Sequence, residues 1–312
     1  MKFPFLSAAA ALALSVAASA LAQTAAIPEG VVESRGFAFQ SRDMVALVGA
    51  AFLERDGEHG YLETALTQAQ PDLELRFRNL AWSGDTVWGH ARSYFGPPQE
   101  GLDRLKGHLE LIKPTVVVCQ YGAAEAWDGK EKLGAFIEGY GRLLDMISAA
   151  ASKPRLVLVS PVPAENRPPA PSVDAYNANL ALYRDAIRTL AAQRSAAFVD
   201  AFGLVQSLPE AARPLTENGV NVSAKGYRFL GSLLPGLLGA ETSAAPVDEK
   251  LRSLVLAKNQ LFFHRWRPAN ETYLFGFRKH EQGRNGAEIP LFDPLVEAKE
   301  KEIATHLAQR TP

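Results

Sequence analysis

Between Asp43 and Leu238, short apolar runs alternate with longer stretches whose apolar residues recur every three or four positions. Met44-Val45-Ala46-Leu47-Val48 is apolar throughout and stops at Gly49. Such continuity suits a strand covered on both faces, since neither face meets water. Residues 115–119 read as the next buried strand, residues 155–160 as a fourth and residues 197–200 as a short fifth. Residues 73–80 alternate apolar and polar, which predicts a more peripheral strand. Helical periods fall at residues 54–70, 101–112, 133–151, 174–193 and 224–238, with Lys113-Pro114 ending the second. This alternation predicts an α/β fold with a central parallel sheet and right-handed crossovers. Ligands of such sheets bind beyond the carboxyl ends of the strands. The segments to inspect are therefore Gly49-Ala50-Ala51 and residues 79–86, 120–127 and 160–167. A proline-rich loop, residues 161–171, is expected to overhang one of those ends.

The two ends of the chain read differently. Lys2, an apolar run over residues 3–18 and Ala20-Leu21-Ala22 form the pattern of a signal peptide over residues 1–22. That pattern predicts an exported protein, periplasmic or extracellular. The α/β domain then spans residues 23–240, and residues 241–312 form a linker and a C-terminal extension. The linker is the Ser/Ala/Pro stretch at residues 241–246. Beyond it come a helix, an aromatic and basic segment, and a charged helix at residues 293–309.

Composition narrows the function. Hydrophobic residues make up 47% of the chain, so it can bury a sizeable core. A net charge of −1 argues against nucleic acid as a partner. No later apolar run is long enough for a stable membrane span. The single cysteine, Cys119, has no partner for an intramolecular disulfide and lies within an apolar strand, so it reads as core. No metal-ligand spacing and no phosphate-cradling glycine loop occurs, so no metal or cofactor is expected.

At the strand ends the residues fall into four blocks. These are Gly49-Ala50-Ala51, Asn79-Leu80-Ala81-Trp82-Ser83-Gly84-Asp85-Thr86, Gly122-Ala123-Ala124-Glu125, and Asn218-Gly219-Val220-Asn221-Val222-Ser223. In order and spacing they resemble the blocks of the SGNH/GDSL hydrolases over residues 43–238. The resemblance implies a flavodoxin-like three-layer sandwich and an ancestral activity on esters, including carbohydrate acyl esters. In that family a serine attacks the carbonyl, a histidine takes its proton and an aspartate orients the histidine. Backbone N–H groups and an asparagine side chain hold the oxyanion. The resemblance gives Gly84 an oxyanion role. It puts Ala51 at the serine position, Ala124 at the asparagine position and Asn221 at the histidine position, with Asn218 at the aspartate position. Nucleophile, base and side-chain oxyanion donor are thus missing together.

Other residues could supply chemistry. Asp85 and Glu125 are candidates for a carboxylate pair near one pocket. Against that, Ser83 and Asp85 would suit caps of a helix opening near Thr86, as Ser223 would for the helix at Ala224. The tail offers His264, Arg265, Trp266, Arg267, Arg278, Lys279 and His280, and Arg92 lies in the second block's wake. Aromatic rings stack on sugar faces and guanidinium groups grip acids, so these are ligand-binding candidates. The same residues could equally pack on the core and pair with surface acids. Three functions follow: a non-hydrolytic relative binding a small molecule or glycan, an active hydrolase using other residues, or a structural protein of the envelope.

Overall fold

The computed structural model describes residues 32–310 apart from residues 34, 35, 170, 239 and 241–245. The signal-peptide segment and most of the linker lie outside the described residues. The sheet is built from β1 (Val32–Glu33), β2 (Met44–Gly49), β3 (Arg76–Asn79), β4 (Val116–Gln120), β5 (Arg155–Val159) and β6 (Ala197–Val199). Their spatial order is β1-β6-β5-β4-β2-β3. β2 to β6 pair in parallel, and only the two-residue β1 runs antiparallel, against β6. Read along the chain, the five parallel strands have the doubly wound flavodoxin-like order, with the direction of winding reversing between β2 and β4.

The continuous apolar strands are explained by the two cores. Val45 and Leu47 face one side with Val116, Val118, Val157 and Val159, under helices α1 (Ala51–His59), α2 (Tyr61–Ala69) and α7 (Ala224–Leu237). Ala46 and Val48 face the other with Val117, Cys119, Leu158 and Phe198, under α3 (Pro98–Ile112), α4 (Leu133–Ala150) and α5 (Asp174–Gln193). Alternate residues therefore enter opposite cores, and both must be apolar. Cys119 is fully buried, and burial pushes its thiol up to about 12.

Two local readings differ from expectation. The helix expected over residues 54–70 starts earlier, at Ala51, and breaks at Gly60, whose φ of 70° closes α1 and opens α2. Asp56 secures that break by accepting the N–H groups of Tyr61 and Leu62 at 3.0 and 3.2 Å. No helix opens near Thr86; the chain makes tight turns there and one short helical turn at His90–Arg92. A short helix α6 (Ala201–Ser207), capped by the Asp200 carboxylate on Gly203 N–H, carries a period too short to read in sequence.

The C-terminal extension docks on the sheet rather than hanging from it. α8 (Glu249–Trp266) packs beside the edge strand β3, and α9 (Phe292–Ala308) packs along α8. Phe262, Trp266 and Val296 join the larger core. Lys258 is buried; its Nζ donates to Glu63 Oε1 at 2.5 Å and to Phe77 O at 3.0 Å. Asn259 Nδ2 donates to the other Glu63 oxygen at 3.0 Å. α8 thereby covers an otherwise open sheet edge.

Candidate active site

The four blocks converge on one cleft at the carboxyl ends of β2 and β4, where the winding reverses. Its volume is about 170 Å³. Ala51, Gly84, Ala124 and Asn221 all line it, with Ala50, Ala123, Gln120 and Arg55. Val162 and Ala164 of the proline-rich loop close one side, as that loop's position in the sequence suggested. Trp127 forms the outer wall, stacked on Tyr176 with centroids 3.8 Å apart and planes 9° from parallel.

Each block has a local cause. Gly49 is required because a Cβ there would sit 2.4 Å from Gln120 O. In the second block Asn79 Nδ2 donates to Leu53 O at 2.7 Å, while Asn79 Oδ1 accepts Ala81 N–H at 3.0 Å. Glu54 accepts Ser83 N–H at 3.0 Å and also the Ser83 hydroxyl. Ser83 is therefore tied to α1, and the cap expected of it on a following helix is corrected. In the third block the Glu125 carboxylate accepts Val87 N–H and Gly122 N–H, both at 3.0 Å, joining this block to the second. Burial pushes the Glu125 carboxyl above the usual range, an effect opposed by those N–H groups.

The fourth block hangs on Glu165. Its carboxylate accepts Leu215 N–H at 3.0 Å, Thr216 N–H at 2.9 Å and the Thr216 hydroxyl at 2.5 Å. Burial acts against ionisation, yet these donors and Arg213 hold Glu165 below the usual carboxylate range. Asn218 Oδ1 accepts Val220 N–H at 3.1 Å and Asn221 N–H at 2.8 Å. The side chain at the family's aspartate position thus shapes a turn. Ser223 caps α7, its hydroxyl accepting Gly226 N–H at 3.1 Å.

The sequence candidates divide sharply. Asp85 and Glu125 do not line the cleft; both are buried behind it. Arg92 Nε donates to Asp85 Oδ2 at 2.5 Å, and the Tyr121 hydroxyl donates to the same oxygen at 3.1 Å. This corrects the cap reading of Asp85: a fully buried guanidinium requires a carboxylate more than a turn requires a cap. Arg92 is committed likewise and does not reach a ligand in the cleft.

None of the tail candidates lines the cleft either. Trp266 is buried edge-on against Trp82, at 5.7 Å. Arg267 lies 3.6 Å over the Trp82 ring and pairs with Glu54 at 2.5 Å. Arg265 pairs with Asp293 at 2.8 Å, and Arg278 with Glu281 at 2.5 Å. His280 stands 3.7 Å from Glu281, while His264 and Lys279 are exposed. The tail braces the second block from outside, so of the two readings left open for it the structure favours packing and pairing with acids over lining the cleft. The polar groups missed in sequence are Gln120 and Arg55. Gln120 was visible as the polar residue ending an otherwise apolar strand, inside a segment already marked for inspection.

Among the described residues, no Ser, Thr, Cys, His, Asp, Glu or Lys lines this cleft. Its two phenols are occupied: Tyr176 donates to Ala123 O at 2.6 Å and Tyr227 to Phe52 O at 2.7 Å. Burial raises the pKa of both, so neither is suited to proton transfer near neutrality. Among the described residues no group of three or more His, Cys, Asp or Glu could hold a metal ion.

The family model of the GDSL-like lipase/acylhydrolase family matches residues 45–229. The chain belongs to this family. No curated protein matches the sequence. Among solved structures, a GDSL-like lipase described from Parabacteroides merdae is similar, with a TM-score of 0.54 and 14% identity over 65% of this chain and 98% of its own. An enzyme described as a gut microbial diltiazem-metabolizing enzyme reaches 0.52 at 15% identity, over 66% of this chain and 49% of its own. A variant of an acetyl-xylooligosaccharide esterase from Geobacillus stearothermophilus reaches 0.50 at 19%, over 65% and 97%. At these identities the likeness is one of fold. This GDSL-family chain keeps the fold and brings Gly84, Ala51, Ala124 and Asn221 together in one cleft.

Proposed function

We propose that this chain is a non-hydrolytic member of the GDSL family that binds a glycan outside the cytoplasm. One observation carries the reading: the family cleft is formed, yet nothing lining it can attack an ester or take a proton. Losing one member of a Ser-His-Asp triad costs roughly three to six orders of magnitude in rate. The missing side-chain oxyanion donor removes about a further hundredfold. What remains suits binding. Trp127 is 61% exposed and held flat by Tyr176, a rigid face on which a pyranose ring can stack. Arg55 Nη2 pairs with Glu217 at 2.6 Å, so the cleft's cation is neutralised and the cleft favours an uncharged ligand. The pattern of residues 1–22 supports export, and the mature chain should then begin at Gln23, which an intact-mass measurement checks.

The test is turnover of short-chain nitrophenyl esters and acetylated xylooligosaccharides, alongside a glycan-binding array. The wild-type chain should stay at background in every ester assay and retain glycans on the array. The triple variant Ala51→Ser, Ala124→Asn, Asn221→His should gain measurable esterase activity. Turnover by the wild-type chain well above background would overturn the non-hydrolytic reading.

A further inference from the structure

The floor of the cleft holds one polar side chain that the framework leaves unused. Gln120 ends the central strand β4, is 1% exposed, and lines the cleft. Neither its Oε1 nor its Nε2 has a hydrogen-bond partner. The framework amide Asn79, by contrast, has both side-chain polar atoms paired. Asn221, the other amide of the lining, is half-buried, so solvent can complete it. Gln120 is too deeply set for that. A buried amide is ordinarily hydrogen-bonded, and one left open at the end of a cleft suits a ligand that brings both a donor and an acceptor. The neighbouring side chains of the floor, Ala51, Ala123 and Ala124, supply neither.

The carboxamide presents its oxygen and one N–H side by side on a single edge. Two hydroxyls on adjacent ring carbons match that edge, because each can either donate or accept. One donates to Gln120 Oε1 and the other accepts from Gln120 Nε2. Equatorial hydroxyls lie close to the plane of a pyranose ring. A ring laid flat on the Trp127 wall therefore turns an edge, and the hydroxyl pair on it, towards the floor. We propose that Gln120 is the specificity-determining residue of the cleft and recognises a free vicinal diol, so that the cleft takes an unsubstituted neutral glycan in preference to its O-acylated form. An acyl ester carries acceptors only, so it leaves Gln120 Oε1 buried and unpaired. The cleft thus selects the product of ester hydrolysis rather than its substrate, and a deacylating reaction or an unmodified polysaccharide supplies the ligand. The assignment rests on the glycan-binding reading above and narrows it to sugars with free adjacent hydroxyls.

The test is calorimetric titration of the full chain with xylotriose, with fully O-acetylated xylotriose and with fully O-methylated xylotriose. The methyl ethers also lack donors and cannot be cleaved by an esterase, so turnover cannot disturb that comparison. The wild-type chain should bind xylotriose at least about tenfold more tightly than either derivative, the effect of one lost hydrogen bond and one stranded acceptor. Gln120→Leu should lose most of that preference, because its cost falls mainly on xylotriose. The variant should fold, because it replaces an unpaired buried amide by an apolar group of similar size, and its denaturation midpoint checks this. Equal binding of the three sugars by the wild-type chain, or a preference undiminished in Gln120→Leu, would overturn the role of Gln120 and leave glycan binding standing. Binding of none of them would overturn this assignment, and an empty glycan array as well would remove glycan binding with it.

Discussion

The groups that shape the cleft and the groups that line it follow opposite rules. Glu125, Glu165 and Asn79 stand behind the lining, and every one has its hydrogen bonds made inside the protein. Ala51, Ala124, Asn221 and Gln120 face the cleft, where the first three offer no nucleophile or base and the fourth has no partner at all. The shape of the cleft therefore depends on buried carboxylates gripping backbone N–H groups, while its lining side chains contribute little to folding. On the proposed reading, that separation lets the shape outlast the reaction.

The greatest asymmetry should appear at Glu125. Glu125→Ala leaves Val87 and Gly122 N–H groups buried without acceptors, and the expected cost is roughly 3–5 kcal/mol in chemical denaturation. Ala51→Ser adds one hydroxyl facing an open cleft and should cost under about 1 kcal/mol. Comparable losses in the two variants would mean that lining and framework are not separate.

Asp56 gives a pH-dependent form of the same contrast. It is fully buried, and burial raises its pKa from 3.8 to about 7, against the pull of the Leu62 and Tyr61 N–H groups. Below the unfolded value both states are protonated and its contribution is fully present. As pH rises from there to about 7, the unfolded chain ionises first and binds fewer protons, so stability falls, by up to about 4 kcal/mol. Above that the contribution is gone. Asp56→Asn should keep the cap and flatten this slope in denaturation series at pH 4, 5.5 and 7. An unchanged slope would place the titrating group elsewhere.

Sequence made the core legible because burial on two faces leaves no freedom: residues 45–48 and 116–119 had to be apolar throughout. The blocks were legible because glycine is forced where backbones nearly touch, as at Gly49, and where φ is positive, as at Gly84 (+78°). What stayed hidden was pairing across distance. Ser83 and Asp85 have the local pattern of helix caps, but Glu54 and Arg92 claim them in the fold. The unpaired state of Gln120 was invisible for the same reason, since it depends on which neighbours fail to reach it. The tail was ambiguous in principle, because arginines that grip a ligand and arginines that pair with Glu54 or Asp293 have the same composition.

That ambiguity sets the smallest expected effect. Lys279→Ala and His280→Ala alter exposed groups outside the cleft. Exposed ion pairs contribute about 0–1 kcal/mol, so each variant should stay within roughly 0.5 kcal/mol of the parent in denaturation. Glycan affinity should change less than about twofold, because neither side chain reaches the cleft that Trp127 and Gln120 define. A tenfold loss of affinity in either of them would put the basic segment on the ligand's path. The division between an apolar, neutral binding cleft and a basic tail that only braces it would then fail.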